Sequence, residues 1–419
     1  MSDHFTSRRQ VLGALGAAGV AGVAGCGGLL EGDSTAPTPT EDGDRAETGD
    51  LQRLWITDNR TEYPQNHHEM GVTHVDGEPL VGVPRSENPD TEGCGLAAVG
   101  PGGEQRWQHR LPAAACDPHA VGDVGVGTLD GEAVFLVSTI QGSTVGYSAA
   151  TGAVRFEADL VETIPYGAPV LTPPGPDGSR RVVVVDNNGN LVVAYPDGSI
   201  AWKHAVDGVV YPSPVVRDVD GDGVVEIVVA TDVEDGWVIA LDIDGSVRWR
   251  ETFGTGGREI HPLDQGDRCD VAISTWEGVV AVLDGTDGTV RWSEEYANRG
   301  ILGETAGNHL YASEGDGIVH AIDPADGSVE WTVDSIETDA PANAPVVGQV
   351  GPDSPLVAAL GYDGTLALID AETGTLDGQY SFDQSTYTSP LLVDLTDDDS
   401  DEILIMFGDS RVGAYSIPG

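Results

Sequence analysis

A strand–turn–strand unit recurs along most of this sequence and restricts the fold more than any other feature. Each copy has an apolar strand, an Asp, a glycine-containing turn and a second strand ending on Trp, and the clearest copies are residues 236–249, 278–292 and 317–331. The closing aromatic residues recur at intervals of roughly 45 residues, which suits one four-stranded blade. Asp-Gly and Thr-Gly pairs supply the left-handed positions of tight hairpin turns. The period therefore predicts an all-β protein built from repeated hairpins.

The number of hairpins predicts eight blades. Equivalent strands pass through Ala98, Gly146, Ala194, Ala240, Ala281, Ala321, Ala367 and Ala414. The last hairpin lacks its Trp strand, whereas residues 51–57 resemble such a strand at the other end of the sequence. We therefore expect an eight-bladed β-propeller of four-stranded blades over residues 51–419. Its N-terminal strand would complete the last blade and remove an open sheet edge.

The first 50 residues differ in composition from the repeats. Arg8 and Arg9 precede an apolar run that ends in Val-Ala-Gly-Cys at Cys26, and this run is shorter than the ~20 residues of a membrane span. The order resembles a twin-arginine signal with a lipobox, which implies a signal peptide over residues 1–25 and a lipid on Cys26. Residues 26–50 are rich in acids, Pro and Thr, which predicts a disordered tether. The resemblance implies export and attachment to the outer face of the cytoplasmic membrane.

The charge of the sequence is strongly negative, with 69 acidic and 20 basic residues and a formal net charge of −49. Nucleic-acid binding needs a basic face that replaces counterions, so this balance excludes it. The acids are spread along the chain and Lys203 is the single lysine. Such a composition resembles the surfaces of salt-loving archaeal proteins, where salt screens the repulsion between carboxylates.

Three cysteines remain beside the lipidated one. Proximity in sequence favours a disulfide between Cys94 and Cys116, which an extracellular location permits, and leaves Cys269 free. No CxxC pair or Cys/His cluster occurs, so the sequence predicts no zinc site.

The Ala-Leu-Asp…Asp-Gly…Trp unit resembles the PQQ-like propeller repeat, which quinoprotein dehydrogenases share with BamB-type assembly lipoproteins. The resemblance covers residues 51–419 and implies the propeller fold. The adjacent Cys-Cys pair that quinoprotein dehydrogenases place over the quinone is absent, so we predict no PQQ site. Gly-x-Ser-x-Gly and His-Glu-x-x-His are absent as well, and the sequence predicts no catalytic residue.

One acidic loop has oxygen-bearing residues at the spacing of a calcium site. Hard cations such as Ca²⁺ prefer oxygen ligands, and positions 1, 3, 5, 7 and 9 of this loop are Asp218, Asp220, Asp222, Val224 through its carbonyl, and Glu226. Position 12 is Val229 rather than Glu, so the loop is not an EF-hand and resembles the calcium loop of FG-GAP propeller repeats. We expect a structural Ca²⁺ here, and the alternative is an acidic hairpin turn.

A second acidic loop repeats the pattern less completely. Its candidate ligands are Asp394, Thr396, Asp398 and Glu402. Thr replaces one acid and Asp399 stands where the first loop has glycine, so we expect weaker calcium binding than in the first loop.

A third group of candidate residues occurs where the first strand of each blade begins. Proline-containing segments such as 211–215 and 387–391 mark these starts. The first strand of a propeller blade lines the central channel, so we expect a ligand-binding channel mouth formed by His67, His68, His119, Tyr166, Tyr211, His261, Asn343 and Tyr387. Ordinary packing is the alternative. The adjacent His67 and His68 favour a site most, because adjacent histidines rarely serve a core.

These observations together favour a non-enzymatic, monomeric, lipid-anchored propeller that is stabilised by calcium and binds a protein or a glycan at the cell surface. The alternative is a propeller enzyme that uses the channel mouth, either a quinone-dependent dehydrogenase or a calcium-assisted polysaccharide lyase. Visible absorbance from a quinone would identify the dehydrogenase, and release of unsaturated sugar would identify the lyase.

Overall fold

The computed structural model describes residues 51–58, 66–85, 94–111, 121–175, 178–233, 236–266, 268–296, 301–306, 309–315, 317–334, 336, 343–351 and 354–417. The expected signal peptide (1–25), the expected tether (26–50) and His119 lie outside the described residues.

The strands form eight four-stranded antiparallel sheets, which confirms the prediction of an all-β, eight-bladed propeller. Blade 1 contains β2 (Gly71–Val75), β3 (Glu78–Arg85), β4 (Gly95–Val99) and β5 (Gln105–Arg110); blade 2 contains β6 (Gly125–Leu129), β7 (Glu132–Ser138), β8 (Ser143–Ser148) and β9 (Val154–Asp159). Blade 3 contains β10 (Val170–Leu171), β11 (Val182–Val185), β12 (Asn190–Ala194) and β13 (Ile200–Ala205); blade 4 contains β14 (Val215–Arg217), β15 (Glu226–Ala230), β16 (Trp237–Asp242) and β17 (Val247–Thr252).

The second half of the ring repeats this order. Blade 5 contains β18 (Gly257–Asp264), β19 (Cys269–Thr275), β20 (Val279–Leu283) and β21 (Val290–Glu295); blade 6 contains β22 (Ile301–Ala306), β23 (His309–Ser313), β24 (Val319–Ile322) and β25 (Val329–Val333). Blade 7 contains β26 (Val346–Gly348), β27 (Leu356–Leu360), β28 (Thr365–Asp370) and β29 (Leu376–Ser381); blade 8 contains β30 (Leu391–Val393), β31 (Glu402–Met406), β32 (Val412–Ser416) and, from the N-terminal end, β1 (Gln52–Ile56).

Strand β1 closes the ring, as the sequence predicted. It pairs antiparallel with β32, with Arg53 opposite Tyr415 and Trp55 opposite Ala414. Blade 8 would otherwise have three strands and an unpaired edge, so the N-terminal strand joins the two ends of the ring.

The middle strands of each blade are buried on both faces. All five residues of β15 and all seven of β19 are buried. Between these two blades, Val228 and Ala240 lie in one cluster with Val271 and Ile273. Full burial of such a Val or Ile side chain contributes about 1.5–3 kcal/mol relative to exposure. Packing on both faces explains why these strands appear in the sequence as continuous apolar runs.

The closing tryptophans link neighbouring blades. In six blades the indole Nε1 donates a hydrogen bond to a carbonyl in the turn between the third and fourth strands of the next blade, at 2.6–3.1 Å: Trp55 to Pro101, Trp107 to Ala149, Trp202 to Ile243, Trp249 to Gly285, Trp292 to Pro324 and Trp331 to Ala371. The turn glycine is required by space and by conformation. Gly288 has φ +76°, and a Cβ there would lie 2.6 Å from the Trp249 ring.

An ion pair recurs between the second and fourth strands of four blades. An arginine one residue before the closing aromatic contacts an acid at or near the start of the second strand, in the pairs Arg106–Glu78, Arg155–Glu132, Arg248–Glu226 and Arg291–Asp270. Blade 6 has the reverse arrangement, with His309 on its second strand and Glu330 before the closing Trp331. This pair is therefore a feature of the blade, independent of any acidic loop.

Cysteine pairing agrees with the prediction as far as the structure describes it. Cys94 forms a disulfide whose partner lies outside the described residues, and Cys269 is free and buried. Within the described ranges, no helix has the length and apolar character that a membrane crossing requires.

Candidate functional site

The candidate site residues lie at the two opposite ends of the inner strands. The first strands of neighbouring blades contact each other, so they line the axis of the ring. Most residues predicted at the channel mouth precede these strands, whereas His261 lies within β18. The turns between second and third strands lie at the same end as the residues that precede the first strands. The acidic loops 218–226 and 394–402 join first to second strands and therefore lie at the far end. A calcium site there is separate from a ligand site at the mouth.

The first acidic loop is folded around the carboxylate of Asp218. Its Oδ1 accepts a hydrogen bond from the Gly221 amide at 2.8 Å, and its Oδ2 accepts one from the Gly223 amide at 2.8 Å. Both glycines are left-handed, with φ +81° and +85°. One oxygen each from Asp218, Asp220 and Asp222 lies within 4.8 Å of the others, so the loop brings these three predicted ligands together.

Glu226 lies behind these carboxylates and is almost fully buried, with 1% of its surface exposed. Its Oε2 accepts a hydrogen bond from the Val219 amide at 2.9 Å. Burial, with a smaller contribution from the charges of Asp220 and Asp222, raises the pKa of Glu226 to about 7. A cation beside this group would favour its charged form.

Arg248 supplies positive charge to the same carboxylates. Its guanidinium contacts Asp220, approaches Glu226 Oε1 at 3.3 Å and donates from Nε to Asp242 at 2.7 Å. The contact with Glu226 is the pair found in other blades, whereas the contact with Asp220 is particular to this loop. A metal that took Asp220 as a ligand would have to replace Arg248 there.

The donor set fits a hard cation. All four side-chain candidates offer carboxylate oxygens, which Ca²⁺ prefers, and the loop contains no soft ligand. The Val224 amide donates to Asp222 Oδ1 at 2.8 Å, which fixes the backbone where the Val224 carbonyl is expected as a ligand.

The second acidic loop has the same backbone course. Asp394 accepts from the amides of Asp397 and Asp399, which are left-handed with φ +59° and +66° at the places of the two glycines. Burial raises the pKa of Glu402, and the Thr396 hydroxyl lies 3.4 Å from its Oε1. Among the described residues, a trio of carboxylates close enough for a metal occurs in the first loop and not here.

The arginine is also missing from the second loop. Leu54 precedes Trp55 in blade 8 as Arg248 precedes Trp249 in blade 4, and Leu54 is exposed. The two loops therefore differ in their candidate ligands and in the positive charge beside them. Leu54 occupies the strand position of Arg248, so this position supplies no positive charge to Asp398 and Glu402.

At the channel mouth, four of the predicted residues come together. The rings of His67 and His68 are 4.5 Å apart, His68 is 5.8 Å from Tyr166, and Tyr166 is 5.2 Å from Tyr211. His68 Nδ1 lies 3.2 Å from Asp123 Oδ1 at the start of blade 2. His68 of blade 1 thus reaches Tyr166 of blade 3 across blade 2, which is possible because the blades converge at the axis.

Three other predicted mouth residues do not join this group. Asn343 donates to the Leu360 carbonyl at 3.1 Å, and His261 Nε2 lies 3.2 Å from the Leu302 carbonyl. The Tyr387 ring is 5.7 Å from that of Tyr362. The Asn343 contact lies within blade 7, whereas the His261 and Tyr387 contacts join neighbouring blades. His119 lies outside the described residues.

Sequence reasoning missed the residues that extend the group beyond Tyr211. The Trp276 ring lies 6.4 Å from the Tyr211 ring, and the Arg258 guanidinium lies 4.7 Å from the centre of the Trp276 ring. Trp276 follows β19 in the turn before the third strand of blade 5, so it does not share the motif of the first-strand starts. The sequence did offer one indication, because Trp276 is a tryptophan outside a closing strand, at a position where the repeat unit has no tryptophan.

Comparison with known proteins supports the fold reading. The family described as outer membrane protein assembly factor BamB matches residues 234–416, and the family described as the lambda-carrageenase β-propeller domain matches residues 181–257. No curated protein matches the sequence. The predicted resemblance to BamB-type repeats is confirmed for the C-terminal part of the ring.

Solved structures resemble the chain at low sequence identity. BamB from Moraxella catarrhalis has a TM-score of 0.60 and 18% identity, covering 87% of this chain and 97% of that chain. Quinohemoprotein alcohol dehydrogenase from Comamonas testosteroni has a TM-score of 0.63 and 13% identity, and the match covers 88% of this chain and 77% of that chain. Sqt1 from Saccharomyces cerevisiae has a TM-score of 0.65 and 12% identity, and the match covers 87% of this chain and 100% of that chain. Identities this low show the fold alone: the chain is an eight-bladed β-propeller, and its residues 234–416 are similar to the BamB family.

Proposed function

We propose that this chain is a non-enzymatic scaffold, exported and lipid-anchored through Cys26, that binds a protein or glycan partner at the cell surface. The observation that carries the proposal is the BamB family match over residues 234–416. A closed ring of blades offers rigid surfaces at both ends of the channel, which suits a binding role. The N-terminal sequence supports export and anchoring on the outer face of the cytoplasmic membrane, where the chain would act as a monomer.

Calcium has a structural role in this proposal. Asp218, Asp220, Asp222 and Glu226 would hold the ion together with the Val224 carbonyl, and Asp394, Thr396, Asp398 and Glu402 would form the weaker site. Bound Ca²⁺ would offset repulsion between the carboxylates, and it would link the first strand to the second in blades 4 and 8. The proximity of three carboxylates in the first loop supports this role.

A second candidate function is a polysaccharide-acting propeller enzyme. The match of residues 181–257 to the lambda-carrageenase β-propeller domain favours it, because these residues include the first acidic loop and Tyr211. Incubation of purified protein with λ-carrageenan, followed by assays for reducing ends and for unsaturated sugar, tests this function. Release of either product would identify the chain as an enzyme and contradict the non-enzymatic scaffold.

The anchoring is tested by metabolic labelling with an alkyne fatty acid in a host that has twin-arginine export. The native chain should be labelled and reach the membrane fraction. Cys26→Ala should abolish the label, and Cys269→Ala should retain it because Cys269 is buried in blade 5. Replacement of Arg8 and Arg9 by lysine should leave unprocessed precursor inside the cell. Labelling that survives Cys26→Ala would refute the anchor.

The scaffold role is tested by crosslinking the tagged, surface-exposed chain in cells of its source and identifying what it retains. A specific partner that also binds the purified propeller, without chemical change to either molecule, is the expected result. Turnover of the partner by the purified chain would contradict a non-enzymatic role.

A further inference from the structure

Rings from blades 1, 3, 4 and 5 form an arc at the channel mouth, which we call the mouth arc: His67, His68, Tyr166, Tyr211 and Trp276, with Arg258 against the last ring. Tyr166 and Tyr211 meet edge to face at 73°, and Tyr211 and Trp276 meet at 80°. Tyr166 and Trp276 are half-buried, whereas Tyr211 is 3% exposed. The arc is therefore recessed at the axis, and Tyr166 and Trp276 keep part of their surface accessible to solvent.

Four buried polar atoms that have no hydrogen-bond partner among the described residues lie at the same end of the ring. They are Thr163 Oγ1, Asn187 Nδ2, Trp276 Nε1 and Thr388 Oγ1. The backbone amide of Asn187 donates a hydrogen bond to the Ile164 carbonyl, and Ile164 follows Thr163 in the chain. This contact places Asn187 and Thr163 next to Tyr166. Thr388 is 1% exposed and adjoins Ser389, whose amide donates to Glu69 next to His68. An unpaired buried polar atom destabilises a fold, so four at one channel mouth need a physical reason.

The carboxylates near the arc decide the charge of a suitable ligand. Asp123 contacts His68 and accepts from the Glu69 amide at 2.9 Å, and Asp186 is fully buried beside Asn187. With Glu69 these carboxylates outnumber the one guanidinium of the arc, Arg258, and together with the net charge of −49 they disfavour an anionic ligand.

The geometry excludes other classes of ligand. A flat aromatic cofactor needs parallel faces, and the tyrosines and Trp276 meet nearly at right angles. A wholly apolar ligand would leave the four polar atoms unpaired. A flat protein surface does not reach rings recessed at the axis, whereas the end of a narrow, hydroxyl-rich chain does. Sugar hydroxyls are both donors and acceptors, and sugar C–H faces pack on aromatic rings.

We propose that the mouth arc binds the end of a neutral glycan, which stacks on Tyr166 and Trp276 while its hydroxyls pair with Asn187, Trp276 and Thr388. The proposal rests on the proposed scaffold function and names the partner's chemical class. Three of the four unpaired atoms, all except Thr163 Oγ1, then have a reason, because a site that must pair with a ligand loses stability without it.

The experiment measures binding of the full chain to cellohexaose, chitohexaose, maltohexaose and an α-mannohexaose by calorimetry, with hexagalacturonate as the anionic counterpart. At least one neutral probe should bind with one site per chain and change the tryptophan fluorescence. Hexagalacturonate should bind at least about tenfold more weakly, because the carboxylates at the mouth oppose it.

Three variants separate ligand contact from folding. Thr388→Val and Asn187→Leu should weaken binding about fivefold or more and yet raise the Tm, because each removes an unpaired buried polar atom. Trp276→Phe keeps a ring and loses the N–H, and should weaken binding as well. Thr172→Val is the control. Thr172 is buried like Thr388, but its hydroxyl donates a hydrogen bond to the Pro173 carbonyl at 2.8 Å, and it lies at the other end of blade 3. It should lower the Tm and leave binding unchanged.

Several results would overturn the proposal. One is the absence of binding by any neutral probe, and another is equal affinity of the native chain and all three mouth variants. Loss of a crosslinked protein partner in these variants would make the mouth a protein site, which refutes the glycan while keeping the scaffold. A preference for hexagalacturonate would refute the neutral class.

Discussion

Replacement of Arg248 by leucine should tighten calcium binding at the first acidic loop while it destabilises the calcium-free protein. The guanidinium contacts Asp220 and lies 3.3 Å from Glu226 Oε1, so in the absence of metal it compensates both carboxylates. Calcium needs the Asp220 oxygen as a ligand. The native protein must therefore break the Arg248–Asp220 contact on binding, and the variant has no such contact to break.

The size of the effect follows from this one contact. Arg248 is 22% exposed and Asp220 is 17% exposed, so the pair is partly shielded from water. A hydrogen bond between charged groups contributes a net stability of about 1.5–3 kcal/mol. The lower value corresponds to roughly a tenfold change in an equilibrium constant. We expect the calcium Kd of Arg248→Leu to be about tenfold lower than that of the native chain.

The assay combines calorimetric titration of chelator-stripped protein with thermal unfolding, each at constant ionic strength. Arg248→Leu should show a lower Tm than the native chain in chelator and a larger Tm increase with calcium. Arg291→Leu is the matched control, because Arg291 makes the same blade contact with Asp270 at 2.9 Å in a blade without a predicted calcium loop. Its Tm should fall equally with and without calcium. An unchanged Kd in Arg248→Leu, or equal calcium responses in the two variants, would refute the competition between arginine and metal.

Four further outcomes are expected. Calcium at a hundredfold excess over its Kd should stabilise the fold by about 2.7 kcal/mol, and calorimetry should show that Asp220→Ala removes most of this gain and Asp398→Ala less. Deleting residues 51–57 should lower the Tm sharply because blade 8 loses its fourth strand, whereas deleting 27–45 should not; equal melting would contradict closure by β1. Trp249→Phe leaves a buried carbonyl of the next blade unpaired and should cost about 2 kcal/mol in denaturant unfolding. Lowering salt from about 1 M to about 0.1 M should lower the Tm, because carboxylate repulsion is then less screened; a salt-independent Tm would refute this.

The sequence alone determined the architecture because a propeller is built from local repeats. Each hairpin carries its own turn residues, and the turn that holds Gly288 follows from sequence neighbours a few positions apart. The match of residues 51–57 to other closing strands was enough to predict that this segment completes blade 8, where Trp55 pairs with Ala414. The ligand spacing in 218–226 is local too, so the approach of its carboxylates followed from the loop itself.

The tertiary structure decided what distant blades bring together. The contact of His68 with Tyr166 depends on the convergence of blades 1 and 3 at the axis, and no local pattern encodes that distance. Trp276 reaches the mouth from a turn of blade 5 rather than from a first strand. Arg248 reaches Asp220 only because the fourth strand lies across the sheet from the loop. Periodic hydrophobicity fixes which strands pair, whereas contacts between side chains of different strands depend on the closed ring that those strands build.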